Sequence, residues 1–214
     1  MSAPKPKNEA KRLNVLWQYD VLDTVPEEVF DDLTDLAATI CEAPIALISL
    51  VDEDRQWFKA KTGVTISETS RDISFCAHCI LGDDLFIVPD AAKDARFKNN
   101  PLVTTNPKIR FYAGAPLVAP SGHALGSLCV MDKVPRKLRA EQQNALRVLA
   151  HHVVSQLELR RHARELADVN KSHEQLETEL GRAKAEIDRL RKDLGRFQSA
   201  SFPVRPKLAA RPRR

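Results

Sequence analysis

Residues 44–63 read PIALISLVDEDRQWFKAKTG, and the fold turns on how they are read. Residues 45–51, IALISLV, are apolar on both faces, the pattern of a central strand covered from both sides. Residues 52–55 make a polar turn, and residues 56–61 read as the returning strand of a hairpin. Upstream, Leu13, Leu16, Trp17 and Val21 fall on one helical stripe. Residues 23–26 break it. Thr24 reads as the N-cap of a second helix, with Pro26, Glu27 and Glu28 in its opening turn. Val29, Phe30, Leu33, Leu36, Ala37 and Ile40 then recur at helical spacing until Pro44 stops the run. Downstream, a short helix is predicted over 74–80 and a short strand over 85–88, followed by a loop-rich stretch over 91–108. Strands over 109–118 and 124–131 are joined by a turn at 120–123. Their small residues Ala113, Gly114, Ala115, Gly126 and Ser127 permit close approach of another backbone or a ligand. From Ala140 the chain reads as helix to about residue 199. The order predicts an α+β fold with an antiparallel sheet.

Length and charge set the frame. The chain has 214 residues, 43% apolar and 29% charged, enough for one mid-sized domain and an extension. The net charge is +4, but Arg205, Lys207, Arg211, Arg213 and Arg214 crowd the last segment without an acid. Removing these five from the 33 basic residues leaves 28 against 29 acidic ones. A basic groove for nucleic acid across the body is therefore not expected. The basic segment itself reads as a solvated disordered end, or as a contact for nucleic acid, an anionic membrane or an acidic partner. No apolar run approaches the roughly 20 residues that span a bilayer. The opening MSAPKPKNEAKR lacks the apolar stretch of a signal peptide. A cytoplasmic protein is expected, with Cys41, Cys76, Cys79 and Cys129 reduced.

The last helix carries a heptad pattern. With Leu166 at a, the a positions are Leu166, His173, Leu180, Ile187 and Leu194, and the d positions are Val169, Leu176, Ala183, Leu190 and Phe197. The spacing never slips, as in a dimeric coiled coil. Upstream, Leu146, Leu149, Val153 and Leu157 follow another phase and should pack on the sheet. Gly181 and Gly195 fall at solvent-facing positions. His173 sits in KSHEQLETEL, faintly like a phosphoacceptor histidine, but its seam position favours a structural role.

Residues 74–79, SFCAHC, form the sharpest local feature. A Cys-x-x-Cys at a helix start puts both sulfurs on one face, and the helix N-terminus can lower the first thiol's pKa. One reading is a redox pair, Cys76 and Cys79. A second is a metal site of Cys76, His78, Cys79 and either Cys41 or Cys129, but a second ligand pair at standard spacing is missing. The third is that the cysteines are small packed side chains lining a pocket.

The phrases YDVLDTVPEEVFDDLTDLAA, PIALISLVDEDRQWFKAKTG, FCAHCI, PDAAKDARF and RFYAGAPLVAPSGHALGSLCVMDKVPRKL, in this order, resemble a bacterial sensory subgroup of the GAF domain family over about residues 8–160. The resemblance implies helices on one face of a central antiparallel sheet and a small-molecule pocket on the other. It divides the chain into a disordered lead over 1–8, a GAF domain over 9–158, a parallel dimeric coiled coil over 159–199 and a basic disordered tail over 200–214. Candidate pocket residues are Trp57, Phe58, Arg71, Phe75, Cys76, His78, Asp90, Arg96, Phe97, Phe111, Tyr112 and Cys129. Most of the aromatic ones also read as plain core. Arg71, Asp72, Asp90, Asp94, Arg96 and Arg110 either recognise an anionic ligand or pair with one another.

GAF domains that attach a bilin do so at a cysteine followed by His or Leu. Here Ala77 follows Cys76 and Ile80 follows Cys79, which argues against a covalent bilin. Haem and metal are not expected either, and the ligand stays open. The implied function is non-catalytic. The chain would sense a small molecule or redox state and relay it through a homodimeric coiled coil to a separate signalling protein, such as a histidine kinase or a cyclic-dinucleotide enzyme. The alternatives are an enzyme like free methionine-R-sulfoxide reductase, also a GAF protein, and a purely structural dimerisation module.

Overall fold

The structure is a computed structural model and describes residues 3–200, with side chains to residue 197. It divides into two units, residues 1–162 and 163–214. The first contains α1 (Glu9–Gln18), α2 (Glu28–Cys41), the hairpin β1 (Ile45–Val51) and β2 (Arg55–Thr62), and the short β3 (Glu68–Ser70). It continues through α3 (Cys76–Cys79), β4 (Phe86–Val88), α4 (Pro101–Thr104), β5 (Phe111–Val118) and β6 (Ala124–Asp132) into α5 (Ala140–Ala200). The six strands form one sheet in the order β3-β2-β1-β6-β5-β4, every neighbouring pair antiparallel. This is the expected α+β arrangement.

β1 and β6 lie in the middle and are buried at every position, which is why their sequences are almost continuously apolar. Successive side chains still alternate between faces. Ala46, Ile48, Leu50, Leu125 and Leu128 pack with Phe30 and Ala37 of α2 and with Leu146, Leu149, Val153 and Leu157 of α5. Ile45, Leu47, Cys129 and Met131 face the other way, against Phe75, Cys76 and Phe97. Gly126 of β6 lies opposite Leu50 of β1. A Cβ there would come within 1.9 Å of the Ser49 carbonyl oxygen, so the glycine admits the neighbouring backbone.

The helical stripes differ in detail from the periodic reading. Leu13 and Leu16 are buried, but Trp17 is 47% exposed and its Nε1 donates to Asp52 at 3.0 Å. Arg12 takes the inward place instead, held by Glu9 and the Ala124 carbonyl. On α2 the inward positions are Phe30, Thr34, Ala37, Ala38 and Cys41, and the last four are small enough to let the helix lie close to the sheet. Val29 and Leu36 point outward. Thr24 is not the N-cap. The helix begins at Glu28, while the Thr24 hydroxyl donates to Val21 O at 2.7 Å and accepts from Lys59 at 2.9 Å.

Lys59 marks a β-bulge. The register between β1 and β2 shifts between Ile48 and Ser49, which pair with Ala60 and Phe58 and leave Lys59 unopposed. Its buried ammonium is satisfied by Thr24, the Val25 carbonyl at 2.9 Å and Glu27 at 2.6 Å, 5.3 Å from the Phe30 ring centre. A buried charge is tolerable only when paired and hydrogen-bonded in this way.

Residues 1–8, expected as a disordered lead, include Ala3, which is buried with its amide 3.4 Å from Asp72 Oδ1. In the second unit the apolar heptad positions are exposed, from 49% at Ile187 to 73% at Phe197. The basic segment at the C-terminus lies, from residue 201, outside the described residues.

Candidate functional site

The site is built around the start of α3, on the sheet face opposite α2 and α5. Ser74 fixes that start. Its hydroxyl accepts from the Ala77 amide at 3.0 Å and donates to Gln56 Oε1. Gln56 is buried on β2, accepts from Ser49 at 3.3 Å and donates to Thr69 at 2.6 Å. This chain of hydrogen bonds ties α3 to three strands and places Cys76.

Cys76 Sγ lies 3.8 Å from Cys129 Sγ on β6. The Tyr112 hydroxyl donates to Cys76 Sγ at 3.5 Å and is 3.2 Å from Ser127 Oγ. Tyr112 fits because residue 114 is glycine, where a Cβ would stand 2.3 Å from the phenol oxygen. Hydrogen bonding from Cys129, opposed by burial and joined by Ser127, Tyr112 and Ser49, holds the Cys76 thiol below its ordinary pKa. The interaction with Cys76, together with burial, pushes Cys129 well above its own. Burial raises Cys79 and Tyr112. The Cys79 thiol donates to the Gly114 carbonyl at 3.4 Å.

Cys76 forms part of the wall of a mostly apolar cavity of about 50 Å³. Ile45, Leu47, Phe58, Tyr112 and Met131 line it from the strands, Phe75 from the residue before α3, Leu102 from α4, and Val64, Ile66, Pro107 and Ile109 from the loops. Gln56 and Thr69 supply polar atoms. Its composition, apolar with a few fixed polar groups, is that of a ligand pocket, and its volume leaves room for a very small molecule.

A second, polar cavity of about 190 Å³ is lined by Ala3, Asp72, His78, Arg96, Asn99 and Asn100. Arg96 pairs with Asp94 at 2.6 Å, and its guanidinium lies over Phe86 at 4.8 Å and Phe97 at 5.4 Å. Burial, then the Arg96 charge, lowers the His78 pKa.

The twelve expected pocket residues thus separate. Phe58, Phe75, Cys76 and Tyr112 surround the apolar cavity, with Cys129 behind Cys76. His78 and Arg96 line the polar one, and Phe97 touches both groups, stacking on Phe75 at 4.2 Å and meeting His78 edge-on at 4.8 Å. Trp57 and Phe111 belong to the helix-side core, because each directly precedes a pocket-facing residue on its strand. Asp90 and Arg110 pair with each other at 2.8 and 2.9 Å and line neither cavity. Arg71 is a structural tie, binding Glu9 at 2.5 Å and the carbonyls of Asp52 and Glu53. Cys41 lies in the helix-side core and is remote from the other cysteines. Among the described residues no group of three or more His, Cys, Asp and Glu is placed to hold a metal ion. Residue-by-residue reading missed Ile45, Leu47, Gln56 and Met131. The alternation along β1, starting at Ile45, was the signal for the first two.

A sheet with helices on one face and a small cavity on the other occurs in many domain families. A family model described as GAF domain matches residues 25–157. The chain belongs to the GAF domain family. The cyclic di-GMP phosphodiesterase PA2567 of Pseudomonas aeruginosa is 46% identical over 143 residues of this GAF protein. That alignment takes 67% of this chain and 24% of the relative, so the chain spans about a quarter of the relative's length. Among solved structures, the GAF domain of PixJ from Thermosynechococcus elongatus superposes with a TM-score of 0.53 at 15% identity, over 68% of this chain and 92% of that one. The GAF region of a Geobacter sulfurreducens membrane protein gives 0.51 at 20% identity, over 70% and 97%. These likenesses carry the fold alone. Among the described residues no helix is long and apolar enough to cross a membrane.

Proposed function

We propose that this GAF protein is a non-catalytic sensor: a small molecule or a redox change at the apolar cavity alters the domain, and a parallel coiled coil of two chains relays the change to a separate signalling protein. The observation that carries the reading is the cavity itself, apolar around two fixed polar groups and walled in part by the Cys76 thiol. The relative named as a cyclic di-GMP phosphodiesterase supports a regulatory role, because the similarity takes up only 24% of it. A cyclic-dinucleotide enzyme is the class of partner that this relative suggests, and a histidine kinase is the other.

The coiled coil follows from an exposed apolar seam and its flanking charges. Leu166, Val169, Leu176, Leu180, Ile187, Leu190, Leu194 and Phe197 stand in solvent in a single chain. In a parallel pair, Glu179 faces Lys184 of the partner and Glu186 faces Arg191, both attractive.

Native mass spectrometry of the chain purified from its own host tests the sensor reading. A dimer retaining a small organic molecule is expected, with the molecule lost in Met131→Trp, which fills the cavity. A ligand-free protein whose Met131→Trp variant gives the same spectrum and thermal stability overturns the small-molecule half of the reading. Free methionine sulfoxide is not expected to be turned over with a thiol reductant, and turnover lost in Cys76→Ser would show an enzyme instead.

A further inference from the structure

The cysteine motif pairs Cys76 with Cys79 in sequence, but the structure pairs Cys76 with a thiol 53 residues away. Cys76 contributes to the cavity wall and Cys129 does not, lying behind it on β6 at 3.8 Å. Cys79 is turned to the Gly114 carbonyl. The hydroxyls of Tyr112 and Ser127 join the pair. The arrangement has the parts of a two-step thiol oxidation. One sulfur is reachable from a cavity, a second waits directly behind it, and hydrogen-bond donors can steady a thiolate in an otherwise apolar place.

We propose that Cys76 and Cys129 form a reversible disulfide when a small hydroperoxide enters the apolar cavity, and that Cys79 takes no part. The Cys76 thiolate attacks the outer oxygen of the hydroperoxide. The O–O bond breaks, the alcohol leaves with the proton, or water leaves if the oxidant is hydrogen peroxide, and Cys76 becomes a sulfenic acid. The Cys129 sulfur then attacks the Cys76 sulfur. The S–S bond forms, the S–O bond breaks, and hydroxide departs as water with the Cys129 proton. Two thiols lose two electrons, and the hydroperoxide gains them. A thiol reductant reverses the change by exchange. Closing 3.8 Å to a bond of about 2 Å brings the two sulfurs about 1.8 Å closer and turns the Cys76 side chain toward β6. That movement reshapes the cavity wall. The inference rests on the sensor reading only in using the same cavity as the oxidant's way in.

Peptide mapping distinguishes the pairings. Trypsin leaves Cys76 and Cys79 together in residues 72–93 and Cys129 in residues 111–133. The reduced full-length chain is treated with a few equivalents of hydrogen peroxide, alkylated under denaturing conditions and digested without reductant. The expected product is peptide 72–93 linked to peptide 111–133, released by dithiothreitol. It should persist in Cys79→Ser. It should vanish in Cys129→Ala, where dimedone should instead trap a sulfenic acid on Cys76. A bridge closed within peptide 72–93, or thiols that all remain free, overturns the proposal. The linked peptide in a protein that carries no ligand in native mass spectrometry overturns the ligand half of the sensor reading alone. A retained ligand with no linked peptide overturns this inference alone.

Discussion

Glu9 shows how much one exposed-looking residue can hold. It lies in an N-terminal helix whose apolar stripe says nothing about it, yet it binds two buried guanidiniums, Arg12 at 2.7 Å and Arg71 at 2.5 Å. Burial alone would raise its pKa, but the hydrogen bonds and charges of Arg12 and Arg71 reverse this and hold it at about 2, from an ordinary 4.5. The folded value lies below the unfolded one. Its contribution is therefore complete above about pH 4.5 and is lost as the pH falls toward 2. Urea midpoints measured between pH 7 and pH 3 should fall, and part of that fall should be missing in Glu9→Gln. At pH 7 the substitution leaves two buried cations without their carboxylate and should cost about 3 kcal/mol. An unchanged midpoint at pH 7 would remove Glu9 from this role.

At the scale of elements, strands and helices were legible where periodicity is local. The β1–β2 hairpin, the β5–β6 hairpin and the phase of Leu146, Leu149, Val153 and Leu157 all followed from the sequence. Which side chain meets which face was less legible. The bulge at Lys59 is invisible without its partner strand, and it goes with the burial of a lysine in a strand read only as the return of a hairpin. The thiol site was half legible for the same reason. Cys76 announces itself beside Cys79, whereas Cys129 joins it only through the sheet. On α5 the heptad gives a sharper expectation. Leu194→Cys, with the four native cysteines replaced, should crosslink between chains in high yield under mild oxidation. His173→Leu should strengthen the pair, since it replaces a polar group on the seam with an apolar one. An uncrosslinked Leu194→Cys, or a weaker pair in His173→Leu, would reject the parallel in-register seam.

For the whole molecule, both apolar cores belong to the first unit, which extends to His162. Residues 1–162 expressed alone should therefore fold with a cooperative thermal transition. They should sediment as a monomer at micromolar concentration where the full chain is a dimer. A fragment that dimerises as tightly as the full chain would move the contact from the heptads to the domain. Within that unit, α1 has anchors at both ends. Near one end Glu9 holds Arg71, five residues before Cys76; at the other the Tyr19 hydroxyl donates to Glu158, and Arg160 donates to the carbonyls of Tyr19 and Asp20 at 3.2 and 2.9 Å. Ten helical residues span about 15 Å and do not readily compress. In mechanical terms α1 is a pushrod. The segment that leads to Cys76 and the root of the long helix thus hang on the two ends of one short strut, and a displacement of either loads the other through it.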